Sequence, residues 1–282
     1  MKLKFVKMQG CGNDYVYVDC TGKDLHDEDK LAKRLSDRHF GIGSDGLILI
    51  RKSNRADFKM SMYNADGSEG KMCGNGIRCV GKYVYDHGLT AKNKLTIETL
   101  SGIKNLDLTI KNGSVVSARV DMGKPELTPE KIPVLAPEGA TRVVGEVLQM
   151  DDETSGEVTC ISMGNPHCVL FVEDVDELIL PEIGPAFENH EVFPERVNTE
   201  FVQVLSENEI KVRVWERGSG ETLACGTGAC AAAVASVLNG QTGRGVKVHL
   251  PGGVLDIEYD QAKDRVYMTG PAVTVFSGEI EI

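Results

Sequence analysis

Two short segments of this chain nearly repeat each other, and each places a cysteine and a Gly-x-Gly pattern just before a helix-compatible run. The first is Cys73-Gly74-Asn75-Gly76, followed by Val80 to His87; the second is Cys225-Gly226-Thr227-Gly228, followed by Ala231 to Leu238. A cysteine at a helix N-terminus faces unpaired backbone N–H groups and the positive end of the helix dipole, and both lower the pKa of its thiol. The repetition therefore predicts two related domains that each contribute one thiol as an acid/base group.

Length and charge limit the kinds of partner. A chain of 282 residues, 41% of them hydrophobic, fits two domains of ordinary size or one large domain. The formal net charge of −11 disfavours nucleic acid and anionic membranes, which both reward basic surfaces. No apolar run approaches the ~18 residues of a membrane span, and the first residues do not form a signal peptide. We therefore expect a cytoplasmic protein with no membrane partner and a small-molecule substrate.

The eight cysteines would suffice for four disulfides, but their context argues otherwise. The chain is too long for a disulfide-dense scaffold, and it contains no Cys-x-x-Cys. The pairs Cys73/Cys79 and Cys225/Cys230 also lack the spacing of structural zinc ligands. The sequence thus predicts reduced thiols and no bound metal.

Gly41-Ile42-Gly43-Ser44-Asp45-Gly46 matches the G-x-G-x-x-G pattern of dinucleotide-binding loops. That loop needs a strand before it and a helix after it, so that the pyrophosphate meets the helix N-terminus. Here the periodicity predicts the reverse order, with a helix over Asp27–Arg38 and a buried strand beginning at Gly46. We therefore interpret these glycines as a turn and expect no nucleotide cofactor.

Strands outnumber helices in the predicted pattern, and the chain divides near Gly123-Lys124-Pro125, where a proline-bearing connection begins. We predict an α+β fold with two pseudo-symmetric domains, 1–123 carrying Cys73 and 124–271 carrying Cys225. Each would be a curled mixed or antiparallel sheet wrapped around a central α-helix. The last segment, 272–282, follows Gly270-Pro271 and is free to return to the first domain.

Several polar residues outside the cysteine segments are candidates for a site, although each also has a simpler structural role. His167 lies in a turn at the start of a predicted strand, where it could relay protons to a thiol. Glu216 and Arg217 open the loop before the second cysteine and could bind an ammonium and a carboxylate. Four asparagines sit at strand ends or glycine-rich turns, a common position for a turn residue: Asn13, Asn64, Asn165 and Asn198.

Taken together, these segments resemble the diaminopimelate epimerases, a family of pyridoxal-free amino-acid epimerases. The matching segments are spread over the whole chain and keep their order: Gly10-Cys11-Gly12-Asn13-Asp14-Tyr15, Asn64-Ala65-Asp66-Gly67-Ser68-Glu69, Cys73 to Cys79, Gly164-Asn165-Pro166-His167, Phe193 to Asn198, Glu216 to Thr222 and Cys225-Gly226-Thr227-Gly228. Each is weak alone, but together they are specific. One departure is Gly46, where some members carry glutamine, so no substrate contact is carried over there.

The resemblance implies a cofactor-independent, two-base epimerization of LL- and meso-2,6-diaminopimelate in lysine and peptidoglycan biosynthesis. It assigns Cys73 and Cys225 as the catalytic pair, and His167 and Glu216 as residues that tune the thiol pKa values. The implied substrate-binding residues are Asn13, Asn64, Gly74, Asn75, Asn165, Asn198, Glu216, Arg217, Gly226 and Thr227. It implies no metal, and it leaves a homodimer open as the assembly.

Three alternatives remain beside this interpretation. A proline-type racemase would use the same cysteine pair, but its substrate would leave Glu216, Arg217 and the asparagines without a second amino-acid end to bind. A thiol hydrolase using Cys73 with His167 would leave Cys225 without a role. A metal or redox protein would need ligand spacing that the sequence lacks.

Overall fold

Residues 2–150 and 155–282 are described by the structure, a computed structural model in which strands predominate. The first eight strands are β1 (Lys2–Gly10), β2 (Asn13–Asp19), β3 (Gly46–Arg51), β4 (Phe58–Asn64), β5 (Glu69–Gly70), β6 (Lys94–Thr99), β7 (Gly102–Lys111) and β8 (Ser114–Gly123). The remaining strands are β9 (Glu146–Gln149), β10 (Ser155–Ser162), β11 (Pro166–Phe171), β12 (Asn198–Ser206), β13 (Glu209–Glu216), β14 (Gly220–Thr222), β15 (Gly245–Leu250), β16 (Gly253–Asp260), β17 (Arg265–Pro271) and β18 (Val273–Glu281). The α-helices of the described ranges are α1 (Glu28–Ser36), α2 (Gly74–Asp86), α3 (Leu180–Glu188) and α4 (Gly226–Leu238), and Pro129–Lys131 forms a short 3₁₀ helix.

The chain forms two compact units, Met1–Asp121 with Thr269–Ile282, and Met122–Met268. In the first unit, β1 pairs antiparallel with both β18 and β2. The sheet continues through a parallel β2–β3 pair, an antiparallel β3–β4 pair, a parallel β4–β6 pair and antiparallel β6–β7 and β7–β8 pairs. This mixed order places β2 between β1 and β3, and both β1 and β2 pack against the first cysteine helix, α2.

The same order of pairings recurs in the second unit. Strands β10 and β11 pair antiparallel, β11 and β12 parallel, and β12 and β13 antiparallel. A parallel β13–β15 pair and an antiparallel β15–β16 pair follow. The predicted α+β class, with mixed sheets and few helices, is therefore confirmed.

Each cysteine helix is buried on nearly all sides by the strands of its own unit. Helix α2 packs against β1, β2 and β7, and α4 packs against β10 to β13, β15 and β16. The small residues of α4, among them Ala231, Ala232 and Ala233, are at most 1% exposed, which allows strands to approach it closely. A buried helix holds its first turn rigidly, so the cysteine that precedes it is fixed as well.

Helix α1 is shorter than the predicted Asp27–Arg38, and the turn after it leads into β3. This order, a helix before the glycines and a strand after them, is the reverse of a dinucleotide-binding loop. Helix α3 was not predicted. It contains Pro185 and begins with Pro181 at its second position, and prolines in a sequence pattern usually mark a turn. None of the helices in the described parts of the chain is both long and apolar enough to span a membrane.

Candidate active site

Both predicted cysteines are N-cap residues. Cys73 precedes α2 with extended backbone (φ −129°, ψ 121°), and its Sγ accepts a hydrogen bond from the Gly76 N–H at 3.2 Å. Cys225 precedes α4 in the same conformation (φ −110°, ψ 112°), and its Sγ accepts from the Gly228 N–H at 3.4 Å. Each sulfur thus satisfies a backbone donor that the first helical turn leaves unpaired.

The Cys73 sulfur is surrounded mainly by hydrogen-bond donors and by one oriented amide. Its S–H donates to Asn13 Oδ1 at 3.2 Å, while Asn13 Nδ2 donates to Asp45 Oδ2 at 2.8 Å. Asp45 therefore determines which end of the Asn13 amide faces the thiol. The phenol of Tyr15 also hydrogen-bonds this sulfur.

The pKa of the Cys73 thiol is raised, and its largest cause is burial, which disfavours the thiolate. The N–H groups of Gly76 and Asn75, the Tyr15 phenol and the positive charge of Arg78 act in the opposite direction. Arg78 is fully buried on α2, where it donates to Gly74 O at 3.1 Å. The sequence-based expectation of a lowered pKa is wrong, because desolvation outweighs the helix N-terminus.

Carboxylates, rather than donors, dominate the surroundings of Cys225. Burial and then the negative charges of Glu216 and Glu200 raise the pKa of this thiol well above its ordinary value. The Thr227 hydroxyl, 3.4 Å from Sγ, and the Gly228 N–H favour the thiolate more weakly. The predicted lowering of the thiol pKa is wrong here for the same physical reason as at Cys73.

Glu216 and Arg217 lie where β13 leads into the loop before Cys225. Burial raises the pKa of Glu216, whose carboxylate accepts from the Thr222 hydroxyl and hydrogen-bonds Cys225. The Arg217 N–H donates to Asn198 Oδ1 at 3.0 Å, and its guanidinium donates to the Glu195 carbonyl at 2.8 Å. The backbone of Arg217 is thus held by Asn198 at the start of β12, and its side chain by the turn that precedes that strand.

His167 and Asn165 lie at the start of β11, in contact with each other. His167 is fully buried; its Nε2 lies 3.1 Å from Asn165 Oδ1, and its Nδ1 lies 2.7 Å from Glu200 Oε1. Asn198 donates through Nδ2 to the Pro166 carbonyl at 2.7 Å and so holds the turn that carries both residues. The structure thus places His167, Asn165 and Asn198 within one hydrogen-bonded group.

The remaining predicted residues fall into two sets. Gly74 and Asn75 begin α2, and Gly226 and Thr227 begin α4, where first-turn N–H groups lack helical partners. Asn64 ends β4, and its Nδ2 donates to Ser68 Oγ at 2.9 Å within the following turn. The contact of Asn64 therefore stabilises the turn, whereas Asn13 contacts a cysteine directly.

Sequence reasoning missed three polar residues of these sites: Tyr15, Asp45 and Glu200. A signal for Tyr15 was present, because Asn13-Asp14-Tyr15 and Asn165-Pro166-His167 have the same spacing at the start of β2 and β11. Glu200 is fully buried in a strand, where a sequence pattern gives no reason to expect a charged group. Among the described residues, no cluster of three or more His, Cys, Asp or Glu side chains could hold a metal ion.

A sequence profile of a known family, described as diaminopimelate epimerase, matches residues 5–128 and 159–275. This chain belongs to the diaminopimelate epimerase family. The diaminopimelate epimerase of Desulfovibrio desulfuricans is 55% identical over 283 residues, covering 99% of both chains. That of Methanococcus maripaludis is 56% identical over 280 residues, covering 99% of this chain and 100% of its own. The resemblance to the diaminopimelate epimerases that the sequence motifs indicated is therefore confirmed.

Solved structures share the fold of this diaminopimelate epimerase family member at low identity. A phenazine biosynthesis protein of the PhzF family from Bacillus anthracis superposes with a TM-score of 0.70 at 17% identity over the full length of both chains. A hydroxyproline epimerase from Agrobacterium vitis gives a TM-score of 0.67 at 12% identity, covering 99% of this chain and 92% of the other. At these identities the likeness shows the fold alone.

Proposed function

We propose that this protein is an isomerase that interconverts LL- and meso-2,6-diaminopimelate without a cofactor, using Cys73 and Cys225 as its two acid/base residues. The observation that carries the proposal is that each compact unit holds one cysteine as the N-cap of a buried helix. Membership of the diaminopimelate epimerase family supplies the substrate. The reaction belongs to lysine and peptidoglycan biosynthesis.

Inversion of the α-carbon needs a base on one face and an acid on the other. In one direction a Cys73 thiolate removes the α-proton and becomes a thiol, while the Cys225 thiol delivers its proton to the opposite face and becomes a thiolate. The reverse reaction exchanges these roles, so the number of protons is conserved. No electrons leave the system, which is why no redox cofactor is required by this scheme.

The α-hydrogen of an amino acid is very weakly acidic, so the developing carbanion needs electrostatic stabilisation. The first-turn N–H groups at Gly74-Asn75 and Gly226-Thr227 are suited to hold the α-carboxylate, since both lie at helix N-termini. Both thiols are protonated over most of the physiological pH range because burial raises their pKa values. We infer that binding of the substrate's ammonium near one sulfur stabilises the thiolate that starts the reaction.

The second amino-acid end of the substrate carries its own ammonium and carboxylate. Glu216 and Arg217 have the required opposite charges, and the backbone between them is tied to Asn198. Asn13, Asn64 and Asn165 supply further amides at strand ends. A site built to pair both ends rejects simpler amino acids, because they would leave buried polar groups unpaired.

His167 and Glu216 are proposed to tune the thiols. The negative charge of Glu216 is among the causes that raise the pKa of Cys225, and the His167 charge in turn lowers the pKa of Glu216. This arrangement favours a Cys225 thiol that keeps its proton until the carbanion forms. The division of the chain into epimerase domains at 123/124, one cysteine in each, belongs to the same proposal.

We also infer a cytoplasmic location and a homodimer. All eight cysteines are free in the structure, and catalysis by thiols requires a compartment that keeps them reduced. Strand β18 exposes Val273, Val275 and Phe276, an apolar row that a second copy of the chain would cover. Light scattering after size exclusion measures the mass directly; a monomer at all concentrations would contradict the dimer.

Proton NMR of the reduced protein with LL-diaminopimelate in D2O tests the catalytic proposal. We expect deuterium to enter the α-position as the meso isomer appears, without added pyridoxal phosphate or metal. Cys73→Ala and Cys225→Ala should each lose activity by about 10³-fold or more, because one of the two faces then lacks its proton donor or acceptor.

Cys20→Ala is the matched control, since Cys20 is a buried thiol outside both helix caps and its loss should leave the rate within about twofold. Activity that survives in either cap variant would contradict the two-base scheme. Turnover of L-proline instead of diaminopimelate would favour the racemase alternative.

A further inference from the structure

The two cysteine sites use corresponding positions on corresponding strands of the two units. They differ in the side chain that packs against the first turn of the cysteine helix. In the first unit, Tyr17 of β2 is opposite Ile48 of β3; in the second, Val169 of β11 is opposite Glu200 of β12. A Cβ added to Gly76 would lie 2.7 Å from Ile48 Cδ1, whereas a Cβ added to Gly228 would lie 2.5 Å from Glu200 Oε1. The first turn of α4 thus packs against a carboxyl group, whereas the first turn of α2 packs against a hydrocarbon side chain.

Glu200 is enclosed, and its charge needs compensation. The side chain is 0% exposed, and its Oε2 has no hydrogen-bond partner among the described residues. A buried, half-satisfied carboxylate is costly unless positive charge lies beside it. Two sources are present: the N-terminal turn of α4, where Gly228 leaves room for Oε1 because it has no Cβ, and the ring of His167 at 2.7 Å.

The contacts of His167 determine where its protons lie. An amide oxygen only accepts hydrogen bonds, so Nε2, at 3.1 Å from Asn165 Oδ1, must carry a proton. The Nδ1 nitrogen faces a carboxylate oxygen of Glu200, and one further proton lies in that contact. A proton on Nδ1 in addition to the one on Nε2 would make this contact a buried ion pair.

The protonated ring also orients Asn165. Because Oδ1 accepts from His167, the Nδ2 end of the amide is the end directed away from the ring. Asn13 has the opposite orientation, since its Nδ2 donates to Asp45 and its Oδ1 faces a thiol. The two corresponding asparagines therefore offer different ends, a hydrogen-bond donor at 165 and an acceptor at 13.

We propose that Glu200 is a positioning residue: it keeps both ring nitrogens of His167 protonated, and His167 in turn holds Asn165 with its amide N–H groups toward the substrate. The part that concerns substrate rests on the function proposed above. Asn165 then serves as a donor to a substrate oxygen, and His167 acts as a fixed donor rather than as a base for Cys225.

The ring protonation is tested first, by ¹⁵N NMR of the substrate-free protein with labelled histidine near neutral pH. The His167 signals are assigned among the six histidines by their loss in His167→Gln. We expect both ring nitrogens to be protonated in the wild type and only one in Glu200→Gln. A singly protonated wild-type ring, or a ring unchanged by Glu200→Gln, would overturn the proposal. The wild-type spectrum alone decides the first point if the variant does not fold.

Glu209→Gln is the matched control, because Glu209 also faces a histidine, His249 at 3.8 Å, but at a partly exposed position in the same unit. It should leave the His167 signals unchanged. This readout needs no turnover, so failure of the epimerase proposal and failure of the Glu200 proposal are distinguishable.

Kinetics test the connection to Asn165. We expect Glu200→Gln to raise KM for diaminopimelate by about tenfold while kcat changes by less than about threefold, since a charged hydrogen bond that orients a binding group is weakened. When Asn165 is already replaced by alanine, Glu200→Gln should alter KM by less than about twofold. Additive effects of the two substitutions would show that Glu200 does not act through Asn165.

Discussion

At the scale of single residues, the same Cys-Gly-x-Gly segment produces two thiols with different neighbours. Cys73 is contacted by the Tyr15 phenol and lies near the positive charge of Arg78, whereas Cys225 lies near the carboxylates of Glu216 and Glu200. Donors favour a thiolate and carboxylates favour a thiol. Arg78 lies on the cysteine helix α2 itself, whereas Tyr15, Glu200 and Glu216 lie on strands β2, β12 and β13. Most of the difference therefore comes from residues on strands elsewhere in each unit.

Tyr15→Phe should lower the fraction of Cys73 that is ionised at a given pH. The pKa of Tyr15 is well above its usual range because of burial, so its hydroxyl stays protonated and donates to the sulfur. Without that donor the Cys73 pKa rises further, and alkylation of Cys73 by iodoacetamide should shift to higher pH. We expect kcat/KM to fall by about tenfold, the worth of one hydrogen bond to a charged group.

Peptide mass spectrometry across a pH series gives the alkylation profile of Cys73 separately from the other thiols. Tyr63→Phe serves as the control, because Tyr63 lies on β4 with its side chain partly exposed and should leave the profile unchanged. A Tyr15→Phe profile that coincides with the wild type would show that the phenol does not affect the thiolate.

At the scale of elements, helix α3, which the sequence pattern did not predict, is linked to the second cysteine site. Its residue Glu188 accepts from Trp215 Nε1 at 2.8 Å, from the Gly218 N–H at 2.9 Å and from Arg196 at 2.9 Å. One buried carboxylate thus joins α3 to the end of β13 and to the loop that contains Glu216 and Arg217. Because prolines usually mark turns, the hydrophobic periodicity did not predict this helix. Its role follows from its packing in the structure.

Gly184→Ala should displace α3. A Cβ at Gly184 would lie 2.3 Å from Trp215 Cδ2, and a rigid indole ring cannot yield as a flexible side chain does. Overpacking of this kind costs about 1–3 kcal/mol of unfolding free energy. Trp215 is the one tryptophan of the chain, so its fluorescence reports both the local shift and urea unfolding.

We expect a red-shifted emission and a lower urea midpoint for Gly184→Ala. Gly245→Ala is the control, because a Cβ there meets nothing within 4 Å. Equal midpoints for the two variants would mean that α3 is free to move away from Trp215 at little cost.

At the scale of the whole molecule, buried thiols make stability depend on pH. Burial raises the pKa values of Cys20 and Cys79 to about 11 each. In the unfolded chain these thiols ionise near ~8.5, so above that pH the unfolded state releases protons that the folded state retains. The stabilisation is complete below about pH 8.5 and is lost as the pH rises toward 11.

The urea midpoint should therefore decrease steadily between about pH 8.5 and 11 under reducing conditions. In the Cys20→Ala/Cys79→Ala double variant the midpoint starts lower, because cavities are created, but it should decrease less over the same interval. A wild-type midpoint that stays constant over this range would contradict the linkage.

Much of the fold class and of the candidate site follows from the sequence. The positions of Cys73 and Cys225 before their helices follow from local rules, because glycine patterns, caps and helix periodicity act over a few residues. The family resemblance also predicted roles for Asn13, His167, Glu216 and Arg217, and the structure shows the hydrogen-bond partners of each. What the sequence did not predict were Tyr15, Asp45 and Glu200, which act on the site from other elements, and Glu188, which holds the loop after β13.

The sequence by itself determined the α+β class, the two capped cysteines and the family, because these depend on local patterns and on motif order. The tertiary structure decided the thiol pKa values, since desolvation comes from everything that packs around a sulfur, and here it outweighs the helix N-terminus. It also decided what His167 contacts, because its partner Glu200 lies 33 positions away in the chain and becomes adjacent only through parallel pairing of β11 and β12.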